Sequence, residues 1–160
     1  MKAFVIVLAV LLLGVAAYYL ILPAFVVIEA DEASPLDERD LPASAPSGPQ
    51  KTAGGDDVQV IASGAFVAHE HDVAGTALLI EDDGQKTVRF ENFDTINGPD
   101  LHIYLAADLR AADYVDLGAI KATKGNVNYD VPAGIDTAKY NKVLVWCEPF
   151  RVLFSYAELN

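Results

Sequence analysis

From Val58 to Asn160 no stretch of the chain sustains a helical period; short apolar or alternating runs are broken by Gly, Pro, Asn and Asp. The runs are 58–69, 73–82, 86–92, 100–107, 115–121, 125–131, 142–147 and 150–157. Alternation with a period of two marks a half-buried strand. Val88 and Phe90 share a face of the third run, and Phe150, Val152, Phe154 and Tyr156 share a face of the last, with Arg151 and Ser155 opposite. Glu81-Asp82-Asp83-Gly84 reads as a hairpin turn and Asn97-Gly98-Pro99-Asp100 as a second turn. Val143-Leu144-Val145-Trp146-Cys147 is apolar on both faces, which predicts a central strand covered on both sides. About eight short strands suggest an antiparallel β-sandwich or barrel over residues 58–160.

The chain before that domain has two further characters. Ala3 to Ile28 contains no charged residue and follows Lys2. A helix over that run spans ~39 Å, against a hydrocarbon core of ~30 Å. Residues 1–28 are therefore expected to be a transmembrane anchor, meeting the membrane through 3–28. Lys2 precedes the run and Glu29, Asp31 and Glu32 follow it, so the positive-inside rule puts the N-terminus in the cytoplasm and the C-terminal domain outside. The alternative is a cleaved signal peptide, with Val15 and Ala17 as the small residues before the cut. Residues 29–57 hold four prolines and carry a net charge of −6 out of −12 for the chain. With few apolar side chains to offset the entropy of ordering, this segment is expected to be a disordered acidic tether.

The charge balance, 11 Lys and Arg against 23 Asp and Glu, argues against nucleic-acid binding, which rests on neutralised phosphates. A single cysteine excludes an internal disulfide and any zinc site with two or more thiolates. That residue, Cys147, ends the apolar strand, and Glu148-Pro149 breaks the ladder after it, so its sulfur is expected near a sheet end where access is possible. It reads either as a redox thiol or as a buried small hydrophobe. His69 and His71 would chelate one metal if their segment stayed extended, but no metal site is assigned from them. His102 reads as a strand residue with a satisfied ring, the acids at 81–83 as a solvated turn, and Trp146 as a core aromatic facing away from Cys147. The sequence contains no phosphate-cradling glycine loop, no c-type haem attachment motif and no Ser/His/Asp arrangement in usable context.

One set of motifs is more specific. In order they are Gly64-Ala65-Phe66, His71-Asp72-Val73-Ala74-Gly75-Thr76, Val88-Arg89-Phe90-Glu91-Asn92-Phe93, Gly98-Pro99-Asp100-Leu101 and Val145-Trp146-Cys147-Glu148-Pro149-Phe150. The stretch from Gly64 to Leu159 resembles the electron-transfer DM-thirteen domain. The resemblance implies a β-sandwich, so the expected architecture is all-β, an antiparallel β-sandwich of about eight strands preceded by one N-terminal transmembrane helix. It also implies that Cys147 takes part in redox transfer, with Trp146, His71, Asn92 and Asp100 shaping the fold or the site. One thiol cannot store two electrons as an internal disulfide, so an external partner is required: a quinone, a haem or a separate redox protein. The alternative is a non-enzymatic surface binding or adhesion module, with Cys147 buried and the turns at 81–84 and 98–100 presenting the surface to a ligand. A stand-alone enzyme has no supporting constellation.

Overall fold

Asp83 and Gly84 close a two-residue hairpin with φ of 49° and 77°, the pair of positive values that a type I′ turn requires. They join β3 (Val73–Asp82) to β4 (Gln85–Thr95), with Asp82 paired to Gln85. The computed structural model describes residues 2–21, 26–36 and 58–160, with helix side chains described without a break over 4–16. Each of the eight alternating runs forms a strand. Besides β3 and β4 these are β2 (Gln59–Ala68), β5 (Leu101–Ala106), β6 (Tyr114–Ala119), β7 (Lys124–Val131), β8 (Lys142–Cys147) and β9 (Val152–Glu158).

The strands do not form two stacked antiparallel sheets, and the sandwich expectation is corrected. With a further strand β1 (Glu29–Asp31) they make one curled, nine-stranded mixed sheet in the order β1-β7-β4-β3-β2-β9-β8-β5-β6. Two features of the chain produce this. First, β2 belongs to both halves: Gln59 to Ala65 pair with β3, and Phe66 to Ala68 pair with β9. Second, a ninth strand, β1 (Glu29–Asp31), lies parallel to β7, with Glu29 opposite Lys124 and Asp31 opposite Asn126. The curl turns the two halves toward one buried core, where Val88 and Phe90 of β4 belong to the same cluster as Ile103 of β5 and Val145 of β8. A smaller apolar cluster covers the outer face of β5 and β8 with Tyr104, Leu144 and Trp146. Strand β8 is thus covered on both sides, as its sequence predicts.

One face assignment changes within β9. A bulge where Val145 pairs Ser155 but Trp146 pairs Leu153 shifts the alternation. Phe154, Ala157 and Leu159 join the main core, while Tyr156 packs with Leu153 on the other face.

The N-terminal expectations also change. Helix α1 is described over Lys2–Ile21, and residues 26–28 are not helical. Val26 and Ile28, counted above toward a membrane span, are bonded to the β domain. Asn97 Nδ2 donates to the Val26 carbonyl at 3.1 Å, Thr123 N–H donates to the Ile28 carbonyl at 2.8 Å, and Ile28 N–H donates to Thr123 Oγ1 at 2.9 Å. Among the described residues no helix is long and apolar enough to cross a membrane. The single-pass anchor, the cytoplasmic N-terminus and the extracytoplasmic placement of the domain are therefore corrected. The segment expected to be a tether opens with β1 and the described residues 32–36, and 37–57 lie outside the described residues.

Candidate functional site

Alternation along β8 sends Val143, Val145 and Cys147 into the main core and Leu144 and Trp146 into the outer cluster. Cys147 pairs with Leu101 of β5 on one side and Val152 of β9 on the other. Its side chain is fully buried (0%). The sequence places the sulfur near a sheet end with access, and the loop preceding β5 closes that access. The thiol donates to the Pro99 carbonyl at 3.2 Å. Burial pushes the thiol pKa up, the Phe150 N–H draws it down, and the negative charge of Asp100 adds to the upward push; the net is upward. Cys147 therefore rests as a neutral thiol at neutral pH.

The turn that holds the thiol is braced on both sides. Asp100 sits in the left-handed region at φ 53°, and its carbonyl accepts the Glu148 N–H at 3.1 Å. Gly98 lies hard against Phe154: a Cβ on Gly98 would stand 2.7 Å from Phe154 Cζ, closer than side-chain carbons approach. Phe154 in turn organises the bend after β2, because its carbonyl faces the N–H groups of His69, Glu70 and His71 at 3.2, 3.1 and 3.2 Å. The His71 ring packs on the Phe154 ring at 4.0 Å between centroids.

These residues line a cavity of about 260 Å³, with walls from His71, Ile96, Gly98, Pro99, Phe150 and Phe154. Phe150 stands at its mouth, 55% exposed. Pro99 thus has two roles: it forms one wall of the cavity, and its carbonyl holds the thiol. The volume is just under the ~300–1,000 Å³ range typical of ligand pockets. It suits a single ring system better than a macrocycle such as haem.

The other residues singled out from sequence fall in different places. His71 and Asp100 lie around the same turn and cavity as Cys147. Trp146 is on the opposite face of β8, with Tyr104 at 6.2 Å and Tyr114 stacked on Tyr104 at 4.1 Å. Asn92 is remote from them in the sheet. It takes φ 50° at a β4 irregularity, and its N–H donates to Asn126 Oδ1 at 2.8 Å. The segment carrying His69 and His71 bends, so the two rings do not share a face. His69 lines a separate cavity with Trp146, Arg110 and Arg151.

Sequence reasoning left one constellation unassembled. His102 on β5 has a satisfied ring, as expected: its Nδ1 lies 3.0 Å from Asp116 Oδ2 of β6, and its Nε2 lies 3.5 Å from Asp100 Oδ1. Glu148, in the turn after β8, completes the cluster. Burial of the ring disfavours its charged form, but the Asp116 hydrogen bond and the charges of Asp116, Asp100 and Glu148 outweigh it, so the His102 pKa is raised. No local spacing announces this group. It is assembled by the register that sets β6 and the post-β8 turn on either side of β5.

No curated protein matches the chain, and no solved structure does. The Electron transfer DM13 family matches residues 65–159, which hold β3 to β9, the end of β2 and each of the residues placed around Cys147; the chain belongs to that family.

Proposed function

We propose that the chain is a redox module in which an apolar, single-ring electron carrier of the quinone class docks against Pro99 and meets Cys147 from behind that wall. Membership of an electron-transfer family suggests a redox-related role. The observation that carries the finer reading is the double role of Pro99, which lines the cavity and accepts the thiol hydrogen bond. A ligand that shifts Pro99 would release the sulfur. The thiol is protonated at rest, so it is protected from bulk oxidants until the cavity is engaged. A porphyrin partner fits the cavity poorly, and a separate redox protein would have to engage the same exposed mouth at Phe150.

A second reading has its own observation. Complete burial and a raised pKa also describe a packing cysteine in a surface binding module. Reaction of the whole chain with 1,4-benzoquinone separates the two. Conjugate addition forms a carbon–sulfur bond and moves the thiol proton to a quinone oxygen, so no outside oxidant is required. The redox reading expects one adduct by mass, its rate saturating with quinone concentration, absent in Cys147→Ser and at least tenfold slower in Phe150→Ala. Reaction only after unfolding would establish the packing cysteine instead.

A further inference from the structure

The cluster around His102 has a use that pairing of the ring does not account for. Three side chains from three separate elements, His102 of β5, Asp116 of β6 and Glu148 of the turn after β8, bring one donor atom each within 4.8 Å of one another. We propose that they form a binding site for a divalent transition-metal cation of the zinc class, with His102, Asp116 and Glu148 as ligands and Asp100 as the outer carboxylate.

The donor set fits that class. One imidazole with two carboxylates is a mixed nitrogen and oxygen set, which suits zinc and its neighbours better than calcium or magnesium, whose sites are built from oxygen alone. Zinc bonds of ~2.0–2.2 Å place tetrahedral donors ~3.4 Å apart. His102 Nδ1 and Asp116 Oδ2, 3.0 Å apart, already stand within that spacing, so the adjustment falls mainly on Glu148, which must draw in by no more than about 1.5 Å. Asp116 is exposed and Glu148 half-buried, so both have the rotamer freedom to do so, while His102 is held by the sheet. The fourth position would be left to water.

The surroundings supply what such a site requires of its histidine. Asp116 meets Nδ1 and Asp100 meets Nε2. A ring bound to the ion through one nitrogen keeps a carboxylate beside the other, the arrangement that orients metal-ligating imidazoles. The local charge also calls for a cation. Asp100, Asp116 and Glu148 surround one imidazole with no lysine or arginine paired to any of them in the described ion pairs. An ion there would tie the edge strand β6 to the turn that follows Cys147.

This inference does not rest on the redox reading, and its test does not involve the thiol. Calorimetric titration of the whole chain, stripped with chelator, with Zn²⁺ should show one site. His102→Gln and Asp116→Asn should each weaken it at least tenfold, whereas the double variant His69→Ala, His71→Ala should leave it unchanged. Co²⁺ should bind the same site with a visible band of tetrahedral or five-coordinate type, and Ca²⁺ should bind at least tenfold more weakly than Zn²⁺. Circular dichroism checks that each variant remains folded, and Glu148→Gln gives an independent ligand variant in a turn. Absence of saturable Zn²⁺ binding below millimolar concentration overturns the proposal. So does binding that survives His102→Gln and Asp116→Asn but is lost in the His69, His71 variant.

Discussion

His102 is paired with Ala119 on one side and Trp146 on the other, yet its chemistry is set by side chains. The three carboxylates of Asp116, Asp100 and Glu148 raise its pKa in the folded chain above the ordinary value of 6.5. A histidine that binds its proton more tightly when folded adds stability that is complete below its unfolded pKa and is lost as pH rises through the folded value. Without metal, the chain should therefore lose stability from about pH 6.5 upward through the neutral range as His102 deprotonates. Urea melts at several pH values in the presence of chelator measure this. The difference in midpoint between the wild type and His102→Gln should shrink as pH rises. A constant or growing difference would mean that the carboxylates do not favour the imidazolium. Cys147 is the opposite case at the same scale. Its position on β8 is legible in the sequence, and its inertness at rest is not, because the acceptor that holds it comes from Pro99, far away along the chain.

At the scale of elements, Arg89 shows how the short strand β1 is kept in place. Its side chain is almost fully buried. Nη1 donates to the carbonyls of Glu32 and Ala33 at 3.1 and 3.3 Å and to Asn128 Oδ1 at 3.0 Å, while Nε donates to Glu91 Oε1 at 3.1 Å. The guanidinium thus ties the segment after β1 to both β4 and β7. Gly125 of β7 makes room for that segment: a Cβ there would overlap the Ala30 carbonyl oxygen. Arg89→Met keeps the apolar stem but removes the donors, and each lost hydrogen bond from a charged group is worth ~1.5–3 kcal/mol before the partners recover water. With the carbonyls at the chain edge free to rehydrate, the net loss should be ~1–3 kcal/mol. Hydrogen exchange should rise at Glu32, whose N–H donates to the Asn126 carbonyl, and at Asn128, whose N–H donates to Glu32 Oε2, and unfolding by urea should shift to lower midpoint. Unchanged exchange in that segment would show that backbone pairing alone holds β1.

This element also marks where sequence reasoning stops. Strands β2 to β9 are legible because Val, Ile, Phe and Tyr alternate between Gly, Pro and Asp turns over runs long enough to show a period. Three residues, Glu29-Ala30-Asp31, show no period, and two of them are acidic, so a strand there is set only by the partner edge of β7. The joining of both halves through β2 is equally hidden, since a strand that changes partners midway looks like any other alternating run. The bulge at Phe154 is hidden for the same reason: one extra residue re-aims Tyr156 without altering the pattern. For the site, Cys147, His71 and Asp100 can be grouped from the motif order, whereas the set His102, Asp116 and Glu148 depends on register between strands.

For the molecule as a whole, the family match and the folded unit have different limits. The match begins at residue 65, and the alternating runs begin near Val58, so residues 58–160 look sufficient as a domain. The sheet, however, runs from β1 to β6, and its first strand lies on the far side of a connection that the described residues omit. Removing β1 would leave β7 as an edge with open N–H and C=O groups, the condition that promotes pairing between copies. It would also uncover Arg89 and strip Thr123 and Lys124 of the Ile28 carbonyl that accepts their N–H groups at 2.8 and 3.1 Å. A chain beginning at Val26 and one beginning at Val58 should therefore both fold, since the main core draws mostly on β2 to β9. The shorter one should be less stable by ~2–4 kcal/mol, the scale of several net hydrogen bonds, and should self-associate at concentrations where the longer one stays monomeric. Equilibrium urea melts and sedimentation velocity at matched concentrations read the two effects separately. Equal stability and equal sedimentation would mean that β1 is an ornament on a sheet already complete at β7. A stability loss without association would mean that the charged residues of β7, Lys124 and Asp130, guard that edge without help.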